Sequence, residues 1–377
     1  MTERLLPSLI HVTSNVTNGT GECDLNGSII GEIIHLMTLD NDEGGCGMPV
    51  IRPIELIEPI RPMNILTAHN LHKHFGAIHA VRGVSFHIAA GEIYSLIGPN
   101  SAGKTTTIGM LTTLLRPDEG QATIGGCDIL RQAHQVKKII GVVPQEIALY
   151  EDLTARENLL FWGRMAGLGG KTLRQRVAEA LDLAQLNGRA GDRVKTFSGG
   201  MKRRLNIAVG LLNRPKILFL DEPTVGIDPQ SRRRILDTVK DLNRQGLAVL
   251  YTTHYMEEAQ ELSHRIGVID HGQLIAEGAL DQLIRSAGVG ERILLTLEAL
   301  PADPVPLCAD LETLPGVENV AADDGHYLFL DVDDANARLV ALLARLQALG
   351  LTVRRIELQE PNLEAVFLHL TGRALRE

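Results

Sequence analysis

The sequence predicts an α/β layer fold, and three observations carry that expectation. Glu92-Ile-Tyr-Ser-Leu-Ile97, Ile217-Leu-Phe-Leu220 and Ala248-Val-Leu-Tyr-Thr-Thr253 are apolar without the alternation of a half-exposed strand, so they read as parallel strands buried on both faces. From Met63 onward, strand-like and helix-like stretches alternate. The first apolar run also empties into a glycine-bounded loop followed by a helical stretch over 106–115.

Composition sets outer limits. The chain has 377 residues, 44% hydrophobic and 22% charged, an ordinary globular balance that argues against wholesale disorder. Of the net charge of −9, residues 1–62 hold −6, so the other 315 residues hold only −3. Neither part has the basic excess of a nucleic-acid binder, so no nucleic-acid partner is expected. No uncharged apolar run approaches the roughly 18–20 residues that span a bilayer. The best, residues 29–39, is broken by Glu32 and His35, and no secretory leader precedes it. Cys23, Cys46, Cys127 and Cys308 form no CxxC pair, which points away from a zinc site or a disulfide framework. The chain is expected to be soluble and cytoplasmic, and the Asn15, Asn18 and Asn26 triplets to be chance matches to the glycosylation pattern.

The elements follow in order. Residues 1–62 combine a Thr/Asn/Gly cluster, an acidic-glycine stretch and prolines at 49, 53, 59 and 62, so little stable structure is expected there. Met63 then stands directly before an alternating strand pattern; a start assigned too early and a genuine flexible extension both account for this. Between Gln145 and Leu205 the pattern is helical, with Thr154 and Glu157 spaced as a capping box. A helix is expected over 202–212. Residues 265–279 read as two short strands about a turn at Asp270-His-Gly272. A second, α+β unit starts near residue 290: strand 292–297, a helix around Asp310, strand 326–332, helix 336–349, strand 353–358 and helix 361–370. Pro361 fits the first turn of that last helix and Gly372 its end, while Leu363, Val366, Phe367 and Leu370 give it one buried face.

The chemistry is concentrated in the glycine-bounded loop. Gly98-Pro99-Asn100-Ser101-Ala102-Gly103-Lys104-Thr105 fits GxxxxGK[ST] between a strand and a helix, the setting of a P-loop NTPase. Glycines let backbone N–H groups turn inward around phosphate oxygens, and the helix N-terminus that opens through Thr106 adds positive partial charge. Lys104 is expected to reach the β- and γ-phosphates of ATP, and the Thr105 hydroxyl to ligate Mg²⁺. The run Ile217–Leu220 ends in Asp221 and Glu222. Asp221 is the expected Mg²⁺ partner through its water shell, and Glu222 the group that orients and deprotonates the attacking water.

Three more pieces complete a pattern: Phe197-Ser-Gly-Gly-Met201 opening a helix, Gln145 at a strand exit after Val142-Val-Pro144, and Thr253-His254 after the third apolar run. In this order and spacing, residues 64–280 resemble an ATP-binding cassette (ABC) ATPase. The resemblance implies that Ser198, Gly199 and Gly200 contact the γ-phosphate held by a second copy of the chain, paired head to tail. It implies that Gln145 reaches Mg²⁺ and the attacking water, that His254 holds the γ-phosphate, that Val225-Gly-Ile-Asp228 crosses the dimer interface, and that Phe75 stacks on adenine. Ser101 departs from the family's usual glycine; if its φ is positive, the strain is on the order of 1–2 kcal/mol. Phe197 replaces the usual leucine, an apolar exchange. Glu360-Pro-Asn-Leu-Glu-Ala-Val-Phe-Leu-His-Leu-Thr-Gly372, with Arg156-Glu-Asn158 and Thr252-Thr-His-Tyr-Met-Glu-Glu-Ala259, resembles the daunorubicin-resistance class of drug exporters and extends the match to about residue 372.

The resemblance therefore implies a cassette over 63–285, with a helical subdomain about 146–205, followed by a C-terminal α+β domain over 290–377. It implies an ATP-hydrolysing subunit at the cytoplasmic face of the cell membrane, energising export of a drug, lipid or other small molecule through a separate integral permease. Only 92 residues lie between Thr105 and Ser198, too few for the coiled coil of the DNA-repair relatives, and one cassette excludes the two-cassette translation factors. A soluble ABC-type ATPase driving a non-transport assembly process is the alternative, and co-purification with a membrane protein would separate the two.

Overall fold

The computed structural model describes residues 64–371, apart from Val289 and Asp324, so the expectations for residues 1–62 and for Gly372 lie outside the described residues. The first sheet is antiparallel, in the order β2-β1-β4-β5, from β1 (Asn64–Phe75), β2 (Ile78–Ala89), β4 (Glu119–Ile124) and β5 (Cys127–Asp128). The second has six strands. β6 (Ile140–Val143), β7 (Ile217–Asp221), β8 (Ala248–Thr253), β3 (Ile93–Ile97) and β9 (Arg265–Asp270) run parallel, and β10 (Gln273–Gly278) closes the edge antiparallel to β9.

Alternating side chains of the central strands enter two cores, which is why their sequences are apolar throughout. Ile217 and Phe219 face the first sheet with Leu66, Val81, Tyr94, Leu96 and Leu250. Leu218 and Leu220 face the other way, onto Ile235, Leu236, Val239 and Leu242. Helix α1 (Lys104–Leu111) follows β3 and contributes Met110 and Leu111 to the first core. It is shorter than the expected 106–115. Thr113 turns to φ 64°, and the N–H groups of Leu114 and Leu115 return to the carbonyl of Gly109, so the chain leaves the helix before Pro117. A short helix α2 (Ala133–Ile139) leads into β6.

Helices α3 (Ala155–Met165) and α4 (Gly170–Leu183) pack through Leu159, Leu173, Val177 and Leu181 against Phe197 and Leu205. The Thr154–Glu157 capping box is fully formed. Helix α5 (Gly199–Gly210) starts three residues earlier than expected because the Ser198 hydroxyl caps it, accepting from the Met201 N–H at 3.3 Å. Helix α6 (Pro229–Arg244) follows β7, α7 (Met256–Leu262) follows β8, and α8 (Leu280–Ala287) follows β10.

The C-terminal stretch forms a four-stranded antiparallel sheet in the order β12-β13-β11-β14, from β11 (Glu291–Leu297), β12 (Val317–Ala322), β13 (Tyr327–Val332) and β14 (Val353–Gln359). Helices α9 (Val305–Leu311) and α10 (Ala335–Ala348) supply Leu307, Leu311, Leu342 and Leu346 to its core. Strand β12 was not anticipated. It is an edge strand whose register shifts between Val317 and Asn319, so two exposed residues separate Val317 from the buried Val320 and the alternation of a strand is broken. The last helix, α11, spans Leu363–Thr371, so Pro361 precedes it rather than opening it; Leu363, Val366 and Phe367 are buried as their spacing requires, whereas Leu370, in the last turn, is exposed. They share a core with Ile97, Met256, Ala259, Ile266, Leu283 and Ala287.

Candidate active site

The sharp exit from β3 is built on backbone that glycine tolerates best. Gly103 has φ 108°, and a Cβ there would lie 2.7 Å from the Ala80 carbonyl. Gly103 caps α1 with no side chain of its own, so the first N–H groups of the helix remain available to an anion. Ser101 sits at φ 69°, so the strain anticipated for a serine at this position applies.

Lys104 is buried, 4% exposed. Its ammonium donates to the carbonyls of Gly98 (2.8 Å) and Pro99 (3.0 Å) and pairs with Glu222 Oε1 at 3.0 Å. Glu222 follows the end of β7 at φ 44°, an unusual conformation for a side-chain-bearing residue. Its N–H holds that turn by donating to the Thr252 carbonyl and hydroxyl, both at 3.1 Å. The second carboxylate oxygen, Oε2, lies 3.2 Å from His254 Nδ1. A carboxylate only accepts, so Nδ1 carries the proton of that contact. Lysine, glutamate and histidine thus form one continuous contact chain.

These residues line a cavity of about 590 Å³ together with Phe75, Asn100, Ser101, Gly103, Thr105, Thr106, Gln145 and Val225. Phe75 is 47% exposed at its edge rather than packed in the core. His79 and Arg82 also line it, which the sequence motifs did not indicate. Asp221 does not line the cavity. It is buried at the strand end, where its Oδ1 accepts from the Thr252 hydroxyl at 2.7 Å. Ser198, Gly199 and Gly200 are not on the cavity wall either. Gly200 lets α5 lie against the first turn of α6, since a Cβ there would collide with the Ser231 hydroxyl. Gly98, Pro99 and Ala102 lie behind the wall and contribute backbone, the first two as acceptors for Lys104.

One polar residue missed in the sequence supports this arrangement. Arg203, 3% exposed on α5, donates to the carbonyls of Pro144 (2.8 Å) and Gln145 (2.6 Å), tying the helix that Ser198 caps to the loop carrying Gln145. Burial pulls its guanidinium below the ordinary arginine range. Its only sequence signal is helical phase, because Gly200, Arg203 and Ile207 share the buried face. Asp228 caps α6 by accepting from the Ser231 N–H at 2.9 Å, which lowers its carboxyl pKa. A larger groove of about 780 Å³, with Ile65, Leu183, Leu211 and Leu242 on its walls, contains none of these groups.

A glycine loop between a parallel strand and a helix, with a buried lysine facing a strand-end carboxylate, defines a nucleotide-binding ATPase of the P-loop fold. Residues 81–225 match the ABC transporter family. The linearmycin resistance ATP-binding protein LnrL of Bacillus subtilis (strain 168) is 45% identical over 317 residues, covering 83% of this chain and 100% of that protein. The daunorubicin resistance ATP-binding protein DrrA3 of Streptomyces coeruleorubidus is 39% identical over 307 residues, covering 81% and 96%. Among solved structures, a dimeric ATP-binding cassette in a post-hydrolysis state with ADP and Pi superposes with a TM-score of 0.52 at 29% identity, over 57% of this chain and 98% of that one. The chain belongs to the ABC transporter family, among its ATP-binding proteins, and it is an ATPase. Among the described residues no helix is long and apolar enough to cross a membrane.

Proposed function

We propose that this chain energises export of a drug, lipid or other small molecule through a separate membrane permease, working as a head-to-tail pair of copies at the cytoplasmic face of the membrane. The observation that carries the reading is the Lys104–Glu222–His254 contact chain on the wall of the loop cavity. The resistance functions named for the relatives favour export over a non-transport assembly role.

In this reading the loop cradles the phosphates and Phe75 stacks on adenine. Lys104 exchanges Glu222 for the β- and γ-phosphates, and Glu222, released from the lysine, orients and deprotonates the water. His254 holds the γ-phosphate, and Ser198, Gly199 and Gly200 serve the partner copy's nucleotide. Among the described residues no cluster of three or more His, Cys, Asp or Glu would hold a metal alone. Thr105, Gln145 and Asp221 are the oxygen donors that would hold Mg²⁺, Asp221 through water because it lies off the cavity wall, and the ion would offset charge on the γ-phosphate. The cassette would occupy 63–285, its helical subdomain about 146–205, and the C-terminal domain 290–377.

The test is affinity purification of the chain from solubilised membranes, scored for a co-purifying integral membrane permease. ATPase activity that rises when the permease is present supports the reading. Recovery of the active chain with no integral membrane protein would favour the assembly alternative.

A further inference from the structure

Glu258 lies on α7, four residues beyond His254, and is only 3% exposed. It does not line the nucleotide cavity. Its Oε2 accepts three hydrogen bonds, from the hydroxyls of Tyr251 (2.8 Å), Thr224 (2.9 Å) and Thr253 (3.0 Å). Oε1 faces Arg232 Nε at 3.5 Å. Burying a carboxylate is costly unless it is paired and hydrogen-bonded, so what this one holds together is informative.

The partners come from the segments that carry the proposed chemistry. Thr224 lies two residues after Glu222. Tyr251 and Thr253 form the end of β8, which delivers His254, and the Thr253 hydroxyl also accepts from the Tyr255 N–H at 2.9 Å. Arg232 is in the first turn of α6, behind Asp228, and its guanidinium lies 4.3 Å from the centroid of the Tyr255 ring. We infer that Glu258 is a positioning residue for hydrolysis: one carboxylate clamps the loop after Glu222 and the turn bearing His254 at a fixed spacing. The 3.2 Å contact between Glu222 and His254 is what that spacing sets. The clamp also anchors the loop from Val225 to Asp228, proposed to face the second copy. An amide cannot replace it fully. The amide lacks the negative charge that strengthens all three hydroxyl bonds, and its NH₂ would face the Arg232 guanidinium.

The inference rests on the roles proposed for Glu222 and His254. Glu258→Gln is expected to bind one ATP per chain, with KM within about threefold of wild type and kcat lowered about 10–100-fold, the cost of a small misplacement. Tyr251→Phe and Thr224→Val each delete one donor hydroxyl and should lower kcat several-fold. Combined with Glu258→Gln, either should add little, because the clamp is already open. A carboxylate that served stability alone would lower the melting temperature yet leave kcat per bound nucleotide unchanged, and the three single variants give separate readings if one folds poorly. Wild-type kcat per bound ATP in all the singles that fold overturns the inference. Glu222→Gln is the control: if it too hydrolyses normally, the site assignment has failed, whereas an inactive control beside an active Glu258→Gln defeats only the clamp.

Discussion

Glu222→Gln should change two quantities in opposite directions. In the structure the Lys104 ammonium has three acceptors, the carbonyls of Gly98 and Pro99 and the carboxylate of Glu222. Phosphate must displace the last of them. Both side chains are nearly excluded from water, at 4% and 6% exposure, so solvent screens this competition weakly. Replacing the carboxylate by an amide turns a charge-assisted contact into a neutral one and removes about 1 kcal/mol from the competitor. ATP affinity should therefore rise about fivefold. Hydrolysis should fall about 10²–10⁴-fold, the usual loss on removing a general base. The histidine must also adjust. With the amide oxygen kept toward Lys104, the NH₂ faces His254 Nδ1, which must give up its proton and accept. Calorimetric titration with ATP and phosphate-release kinetics measure the two effects, and size exclusion should show an ATP-dependent dimer. Weaker binding, or a steady-state rate within threefold of wild type, would refute this account of the lysine–glutamate exchange.

Lys104→Ala should fail at nucleotide capture, with affinity at least tenfold weaker by titration, and it leaves the buried Glu222 without its cation; unchanged affinity and turnover together would rule out a working phosphate loop. Ser198→Arg should bind ATP normally and lose hydrolysis, because in the proposed head-to-tail pair the lesion would face the partner's nucleotide. Ser198→Ala, which costs only a helix cap of about 1 kcal/mol, controls for stability, and wild-type turnover in Ser198→Arg would contradict the composite site. Ser101→Gly removes the strain of φ 69° but loosens the unfolded chain, so denaturant unfolding should show a change between zero and about 1 kcal/mol of stabilisation. Arg203→Leu leaves the Pro144 and Gln145 carbonyls without their buried donor and should cost about 2–4 kcal/mol by the same measurement.

The parts legible in the sequence are those where local chemistry and tertiary role coincide. Residues 217–220 read as a buried strand because cores lie on both of its faces, and the phosphate loop reads from its glycines because the turn needs them. Long-range polar contacts leave no such trace. Glu258 looks like one of three ordinary acids on a short helix; only its place beside the buried Met256, Ala259 and Leu262 hints at burial. Its three hydroxyl partners are set by how β8 and the loop after β7 meet, which no local pattern encodes. Strand β12 escaped for a local reason: the register shift between Val317 and Asn319 breaks its alternation, although Val320 is buried and Val317 and Ala322 pack partly against the core. The end of α1 was overestimated because Thr112-Thr-Leu-Leu115 tolerates helix, and the left-handed turn at Thr113 is a tertiary choice.

Helix α11 has a consequence in time. Leu363, Val366 and Phe367 complete the core that holds Met256 and Ala259, and the Leu363 N–H donates to the side chain of Gln260 at 3.0 Å. About 100 residues separate that helix from α7, so a ribosome adding 5–20 residues per second reaches it roughly 5–20 s later. Until then the segment carrying His254 lacks part of its packing. The turn that carries His254 reaches its final packing only after Leu363, Val366 and Phe367 have been made and have docked.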